Sequence, residues 1–426
     1  MSRLKRFAIA TVVTLALPGG ATTLWYQSHY VAPLAPQILP SPNGYDTLEE
    51  AINLCCLPSD EPSQVIEEIY LTAKHWSLAR RQKLLAANKP SLEKTREALR
   101  QEYVVPRVTP IDIAPYRFHR HQDLLLFAAQ TCADSGDLTE AMHYALDAVE
   151  LGVLVPRGRG FQDRQEGYGY EIRGRQMVWQ LAARVNAKTA REAGVRLAQA
   201  ETRRWPLSEN WRKETTQHDT ENQMISTFGA GPFYAWKQMG QEATYPNNIY
   251  ELWGRARAVY GGPKALADWE DDSFKHLQER LDRPWELERA WGELWLQLRY
   301  APYGTIPVEL AEYLNRAQGT LLKTYLALRT YRLEHGSYPD SLENLVAADY
   351  LEAIPIDPFS PTRAPLRYKP NGVLWSVGPD AVDNGGQAFA LENAQKSEGG
   401  VLACLIYGGY DLILPSIALG MDSSAL

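Results

Sequence analysis

Cysteine is scarce in this chain. There are four in 426 residues, Cys55, Cys56, Cys132 and Cys404, and no Cys-x-x-Cys among them. A thioredoxin-like redox site and a zinc knuckle are therefore not indicated. There is no Gly-x-Ser-x-Gly, no phosphate-binding loop ending in Gly-Lys-Ser/Thr and no His-Glu-x-x-His. The familiar serine hydrolase, nucleotide hydrolase and zinc protease signatures are thus missing. Positive charge is also not in excess: 44 Lys and Arg stand against 51 Asp and Glu, a net charge of −7. A net acidic chain has no global attraction for phosphate backbones, which argues against nucleic acid as partner. With 45% apolar and 22% charged residues the composition is that of an ordinary globular chain, and both wholesale disorder and a polytopic membrane protein are disfavoured. At roughly 100–200 residues per domain, the length predicts two or three domains.

What is present begins at the N terminus. Arg3, Lys5 and Arg6 precede an uncharged stretch from Phe7 to Gln27. A basic start before an apolar run reads as an export signal or a membrane anchor. The positive flank keeps residues 1–6 in the cytoplasm and sends the bulk of the chain out. Phe7–Tyr26 meets the length of about 20 residues needed to span a bilayer, and Trp25 and Tyr26 suit the interface. The alternative is export with cleavage after Ala21, where Gly19 and Ala21 are the small residues such a site requires. The expected location is the bacterial inner membrane, single-pass with the bulk extracytoplasmic, or outside it after cleavage. Residues 1–29 form this unit. Residues 30–44 follow as a spacer, since Pro33, Pro36, Pro40 and Pro42 favour extended chain. Beyond the cytoplasm the cysteines can oxidise, with three pairings open; buried apolar thiols are the other reading.

Residues 45–310 read as an α-helical domain. Asp46-x-x-Glu49 predicts a capping box at its first helix. Asp123–Gly152 predicts a helix hairpin. Leu124, Leu125, Phe127, Ala128, Thr131 and Cys132 repeat at helical spacing, Gly136 stops the first helix, and Asp137-x-x-Glu140 caps the second. Met177, Val178, Leu181 and Val185 form another stripe, followed by a cap at Thr189-x-x-Glu192, a second candidate hairpin. No constant period supports a repeat solenoid.

Between 233 and 300 the tryptophans crowd, with Trp291 and Trp295 one helical turn apart. Core packing is the favoured reading, a sugar-stacking surface the other. The acidic run Asp268, Glu270, Asp271 and Asp272 reads as a solvated helix start or loop. His119-Arg120-His121 on a strand would place both rings on one face, but no third zinc ligand is identifiable. Tyr116–His121 reads rather as an exposed or interfacial basic segment. Arg157, Arg159, Arg164, Arg173 and Arg175, interspersed with glycines, form a second basic stretch where an anion or lipid headgroup would dock.

Residues 311–426 read as an α+β module. Leu321, Leu322, Tyr325, Leu326, Leu328 and Leu333 mark a long helix ended by Gly336, and Asp340-x-x-Glu343 caps a short one. Leu366–Lys369, Asn371-Gly372 and Val373–Val377 predict strand, tight turn and strand, with Val401–Tyr407 and Asp411–Leu414 as closing strands. The phrases Leu328–Pro339, Ile356-Asp357-Pro358, Tyr368 and Trp375-Ser376-Val377-Gly378-Pro379-Asp380 resemble the globular part of the major pseudopilin of bacterial type II secretion systems. The resemblance covers about the last quarter of the chain. It implies a pilin-like helix on a small antiparallel sheet, pilin-like subunits as partners, and a calcium loop after the hairpin in which Asp380 and Asp411 match the family's aspartates. Asp383 is a further oxygen donor nearby, and carboxylates on such a loop suit calcium. The chain departs from the family at its start, and about 280 residues separate Phe7–Tyr26 from the module.

The fold class expected is therefore α+β: an N-terminal membrane helix, a mainly helical middle domain and the pseudopilin-like end. The expected role is non-catalytic binding or scaffolding in the envelope. An anchored or exported hydrolase of envelope glycans and an accessory subunit docking on pilin-like assemblies are the alternatives.

Overall fold

The computed structural model describes residues 38–56, 75–106, 115–207, 209–210, 275, 279, 308–387 and 411–413. The expected membrane segment, the tryptophan-rich stretch 233–300, the acidic run at 268–272, the expected strand at 401–407 and Cys404 lie outside them. Among the described residues no helix is long and apolar enough to cross a membrane. The described chain is mainly helical, with nine helices and one two-stranded antiparallel sheet towards the C terminus.

Helix α1 spans Gly44–Asn53. Its cap is Asn43, not Asp46: the Asn43 side chain accepts from Tyr45 N (3.2 Å) and also bonds both polar groups of Val104. That second tie explains the earlier start, because one side chain caps the helix and fixes a neighbouring strand of backbone. Helices α2 (Leu78–Ala87) and α3 (Lys89–Arg100) follow. α1 lies along α3, where the Ser91 hydroxyl donates to Ala51 O at 2.7 Å.

Helices α4 (Pro115–Asp134) and α5 (Leu138–Leu154) form the expected hairpin. Gly136 sits at φ +90°, Asp137 N donates to Cys132 O, and the Asp137 side chain accepts from Glu140 N at 3.0 Å. The left-handed glycine and the aspartate cap thus close one helix and open the next. α5 is buried nearly all round, from Ala141 and Met142 through Leu146 and Leu151 to Leu154. A helix apolar on every side belongs at the centre, and α5 touches α3, α4, α6 (Phe161–Ala182) and α7 (Ala187–Thr202). α6 and α7 are not a hairpin pair: α6 lies along α5, while α7 lies along α5 and the long helix α8 (Val308–His335). Asn186, three residues ahead of the expected Thr189, caps α7.

The histidine pair sits on α4, not on a strand. Residues two apart on a helix point in different directions, so His119 faces partly outward and His121 is buried. Thr95 bonds His121 Nε2 and donates its own hydroxyl to Ser91 O. The imidazole is therefore the Nε2–H donor. Burial lowers its pKa from 6.5 to about 4. A base with a depressed folded pKa contributes stability above its unfolded pKa and loses it as pH falls through the folded one. We expect stability to decline between pH 6.5 and 4 by about 3 kcal/mol. His121→Gln should flatten that limb of a denaturation-against-pH curve, and an unchanged slope would refute the assignment.

Beyond α8, Gly336 (φ +82°) ends the helix and Ser341, with Asn344 as its partner, caps α9 (Leu342–Ala347). Strand β1 (Arg367–Lys369) pairs antiparallel with β2 (Val373–Trp375), Lys369 opposite Val373. The connection is three residues, Pro370-Asn371-Gly372, with positive φ at Gly372 alone. It is the longer bulged hairpin rather than the two-residue Asn-Gly turn. Leu412 adds beside Ser376 through two backbone hydrogen bonds of 3.0 and 2.9 Å. α8 contacts β2 and α9 on one side. On the other, Leu322 and Leu326 enter the same apolar core as α4 to α7.

Candidate functional site

Three polar centres stand out. The first is in the C-terminal module. Asp357 is buried and accepts from the Ser376 hydroxyl (2.6 Å), Val377 N (2.8 Å) and Phe359 N (3.0 Å). Burial still pushes its pKa up, against these hydrogen bonds. The Tyr368 hydroxyl donates to Pro339 O at 2.7 Å. A Cβ at Gly372 would lie 2.5 Å from the Tyr338 ring. The end of the long helix, the proline loop and the hairpin are thereby tied into one unit.

The second centre joins α8 to the helical body. The Arg164 side chain, 2% exposed, donates from Nε to Tyr168 Oη (2.8 Å), from Nη1 to Trp205 O (2.9 Å) and from Nη2 to Glu312 Oε2 (3.2 Å). The Tyr168 hydroxyl donates to the same carboxylate. Arg175 reaches Glu171 (2.6 Å), Glu201 (3.0 Å) and Asn315 Oδ1 (2.7 Å), and Arg204 holds Glu171 through both nitrogens. Three arginines and three glutamates from α6, α7, α8 and the turn after α7 thus neutralise one another. Burial alone would raise the Glu312 pKa, but Arg164, Arg316 and Arg204 beside it hold the carboxyl at about 2. Sequence periodicity did not indicate this centre, since its partners on α8 are about 140 residues away in the chain.

The third is a groove of about 440 Å³ between α3, α5 and α7. Asp147, fully buried, bridges Arg96 Nε (2.8 Å) and Arg196 Nη2 (2.5 Å), and Glu150 takes Arg196 Nε at 2.6 Å. Arg96 also pairs with Glu140 at 2.7 Å. Arg203 donates to the carbonyls of Leu99 and Gln101 at the end of α3, which suits a cation at a helix C terminus. Arg100 lines the groove from an exposed position.

The basic stretch 157–175 does not form a common surface. Arg164 and Arg175 are spent in the buried network, Arg173 pairs with Asp123, and Arg159 lies 3.5 Å from Asp163. Glu166 is raised to about 7, by burial first and then by Asp163. Cys55, Cys56 and Cys132 carry free thiols, and burial raises Cys55 and Cys132 to about 11, well away from reactive thiolate.

The aspartates expected at a calcium loop are engaged with protein. Asp383 takes the Trp375 indole N–H (3.0 Å), Gly385 N (3.0 Å) and Arg367 (2.9 Å). Asp411 accepts from the backbone N–H groups of Asn384 (3.2 Å), Gly386 (2.7 Å) and Gln387 (3.1 Å). Asp380 accepts from Val382 N at 3.1 Å, and its pKa is raised, by burial before the Asp411 charge. Among the described residues no group of three or more His, Cys, Asp or Glu side chains is placed to hold a metal ion.

Comparison with protein-family models, with curated proteins and with solved structures finds no match for this chain.

Proposed function

We propose that this chain is a non-catalytic binding or scaffold protein of the bacterial envelope, held at the inner membrane by its N-terminal segment, in which a pilin-like module is joined laterally to a helical body. The observation that carries the reading is the mutual contact of the motif residues: Tyr338 against Gly372, Pro339 with Tyr368, and Asp357 with Ser376 and Val377. Residues scattered over about forty positions are tied together as one unit. The buried network around Arg164, Arg175 and Glu312 supports the scaffold half of the proposal. It spends one face of α8 on the helical body, so that face is not open for stacking in a filament. The titratable groups buried there are committed to one another, as in a structural joint.

The test is fractionation followed by crosslinking. The full chain should partition with inner membranes, be digested by protease added to spheroplasts, and crosslink to pilin-like subunits through the module. Recovery of the chain from cytosol would defeat the envelope reading. Membrane recovery without any pilin-like crosslink would defeat the partner.

A further inference from the structure

We propose that the groove between α3, α5 and α7 binds a phosphate group, with Arg100 and Arg203 as its guanidinium donors. The inference stands apart from the envelope reading and from the pilin-like module. The lining carries four arginines, Arg96, Arg100, Arg196 and Arg203, against two carboxylates, Asp147 and Glu150, and with Glu140 paired to Arg96 from outside the lining one positive charge is left over. The carboxylates are not open to an incoming cation, because Asp147 is buried between Arg96 and Arg196 and Glu150 holds Arg196. The surplus therefore rests on Arg100 and Arg203. Arg203 meets only backbone carbonyls with its hydrogen bonds, and Arg100 points no ion pair at any described acid.

Two further observations agree. Arg96 Nη2, in the same lining, is buried without a hydrogen-bond partner, as is Nε of Arg157. Buried donors of this kind normally have a partner. Burial also lowers the pKa of Arg203, and burial and then Arg203 lower that of Arg157. Two like charges held close and partly desolvated gain from an anion between them. Guanidinium forks match phosphate oxygens in pairs. A groove of about 440 Å³ has room for a phosphate with an organic substituent.

A free phosphate compound and a phospholipid headgroup share this chemistry, and two measurements separate them. In thermal melts of the full chain at low ionic strength, millimolar inorganic phosphate should raise Tm by several degrees over chloride of equal ionic strength. Arg100→Gln, at an exposed position, should weaken the apparent phosphate affinity about tenfold. In flotation assays, a preference for phosphatidylglycerol over phosphatidylcholine vesicles that Arg100→Gln abolishes and inorganic phosphate competes away assigns a headgroup. A phosphate-dependent rise in Tm without that preference assigns a free phosphate compound. Equal melting in phosphate and chloride, with vesicle binding indifferent to Arg100→Gln, overturns the proposal. So does a phosphate effect of undiminished size in Arg100→Gln.

Discussion

Arg164→Ala should destabilise the protein by about 3 kcal/mol, the lower end of the cost of taking a partner from a buried charge. The group that loses it is Glu312, 5% exposed, which in the native protein takes hydrogen bonds from Arg164 and Tyr168 on one oxygen and keeps Arg316 Nε at 3.0 Å on the other. Chemical denaturation at pH 7 measures the loss. A control separates stranding from lost packing: Arg164→Met combined with Glu312→Leu removes both charges and should recover most of the stability, because an apolar pair of similar volume avoids the desolvation cost. The pH dependence carries the same signature. Glu312 has a folded pKa of about 2 against an ordinary 4.5, so its contribution is present above pH 4.5 and is lost as pH falls towards 2. Arg164→Ala should shrink that acid limb, with Arg316 and Arg204 left to sustain the remainder. A variant that keeps wild-type stability would mean that the network around Arg164 does not secure α8.

Two glycines two positions apart on α6 should respond in opposite directions. A Cβ at Gly167 would lie 2.5 Å from Pro156 Cγ and 2.6 Å from Gly152 O, where α6 meets the end of α5 most closely. The carbonyl cannot give way without moving α5, so Gly167→Ala should cost about 3 kcal/mol, the upper end of ordinary overpacking. At Gly169 nothing lies within 4 Å of the same Cβ. There Ala removes the entropy penalty of a helical glycine, and Gly169→Ala should stabilise by about 0.5–1 kcal/mol. Thermal melts of the two single variants decide it. If both shift Tm the same way, the close approach of α5 and α6 is not what Gly167 serves.

These glycines show where sequence reading stopped. Gly167 and Gly169 look alike in the chain, set among arginines, and that stretch suggested a basic surface. The difference between them lies in what stands opposite, which is a property of α5 and not of α6. The caps failed in a similar way but by less. Asp46, Thr189 and Asp340 are sound capping types, yet Asn43, Asn186 and Ser341 took the role. Several residues within three positions can cap a helix, and the contact that chooses between them comes from elsewhere, as Val104 does for Asn43.

Local chemistry sufficed where the cause is local. Gly136 and Asp137 set the α4–α5 hairpin because a left-handed residue and a side-chain cap act within a single turn, and Gly336 ends α8 for the same reason. The Asn371-Gly372 turn between two strand-like segments predicted the β1–β2 hairpin, although its loop is one residue longer than a tight turn. The charged centres follow the opposite rule. Arg164 and Glu312 are 148 positions apart, and the groove draws Arg96 and Arg196 from helices a hundred residues distant. Coulombic pairing depends on distance through space and on loss of water, neither of which is encoded in spacing along the chain. The amino acids alone therefore settled the helical character, the α4–α5 hairpin and the small terminal sheet, while folding in three dimensions decided which charges are neutralised and which remain available to a ligand.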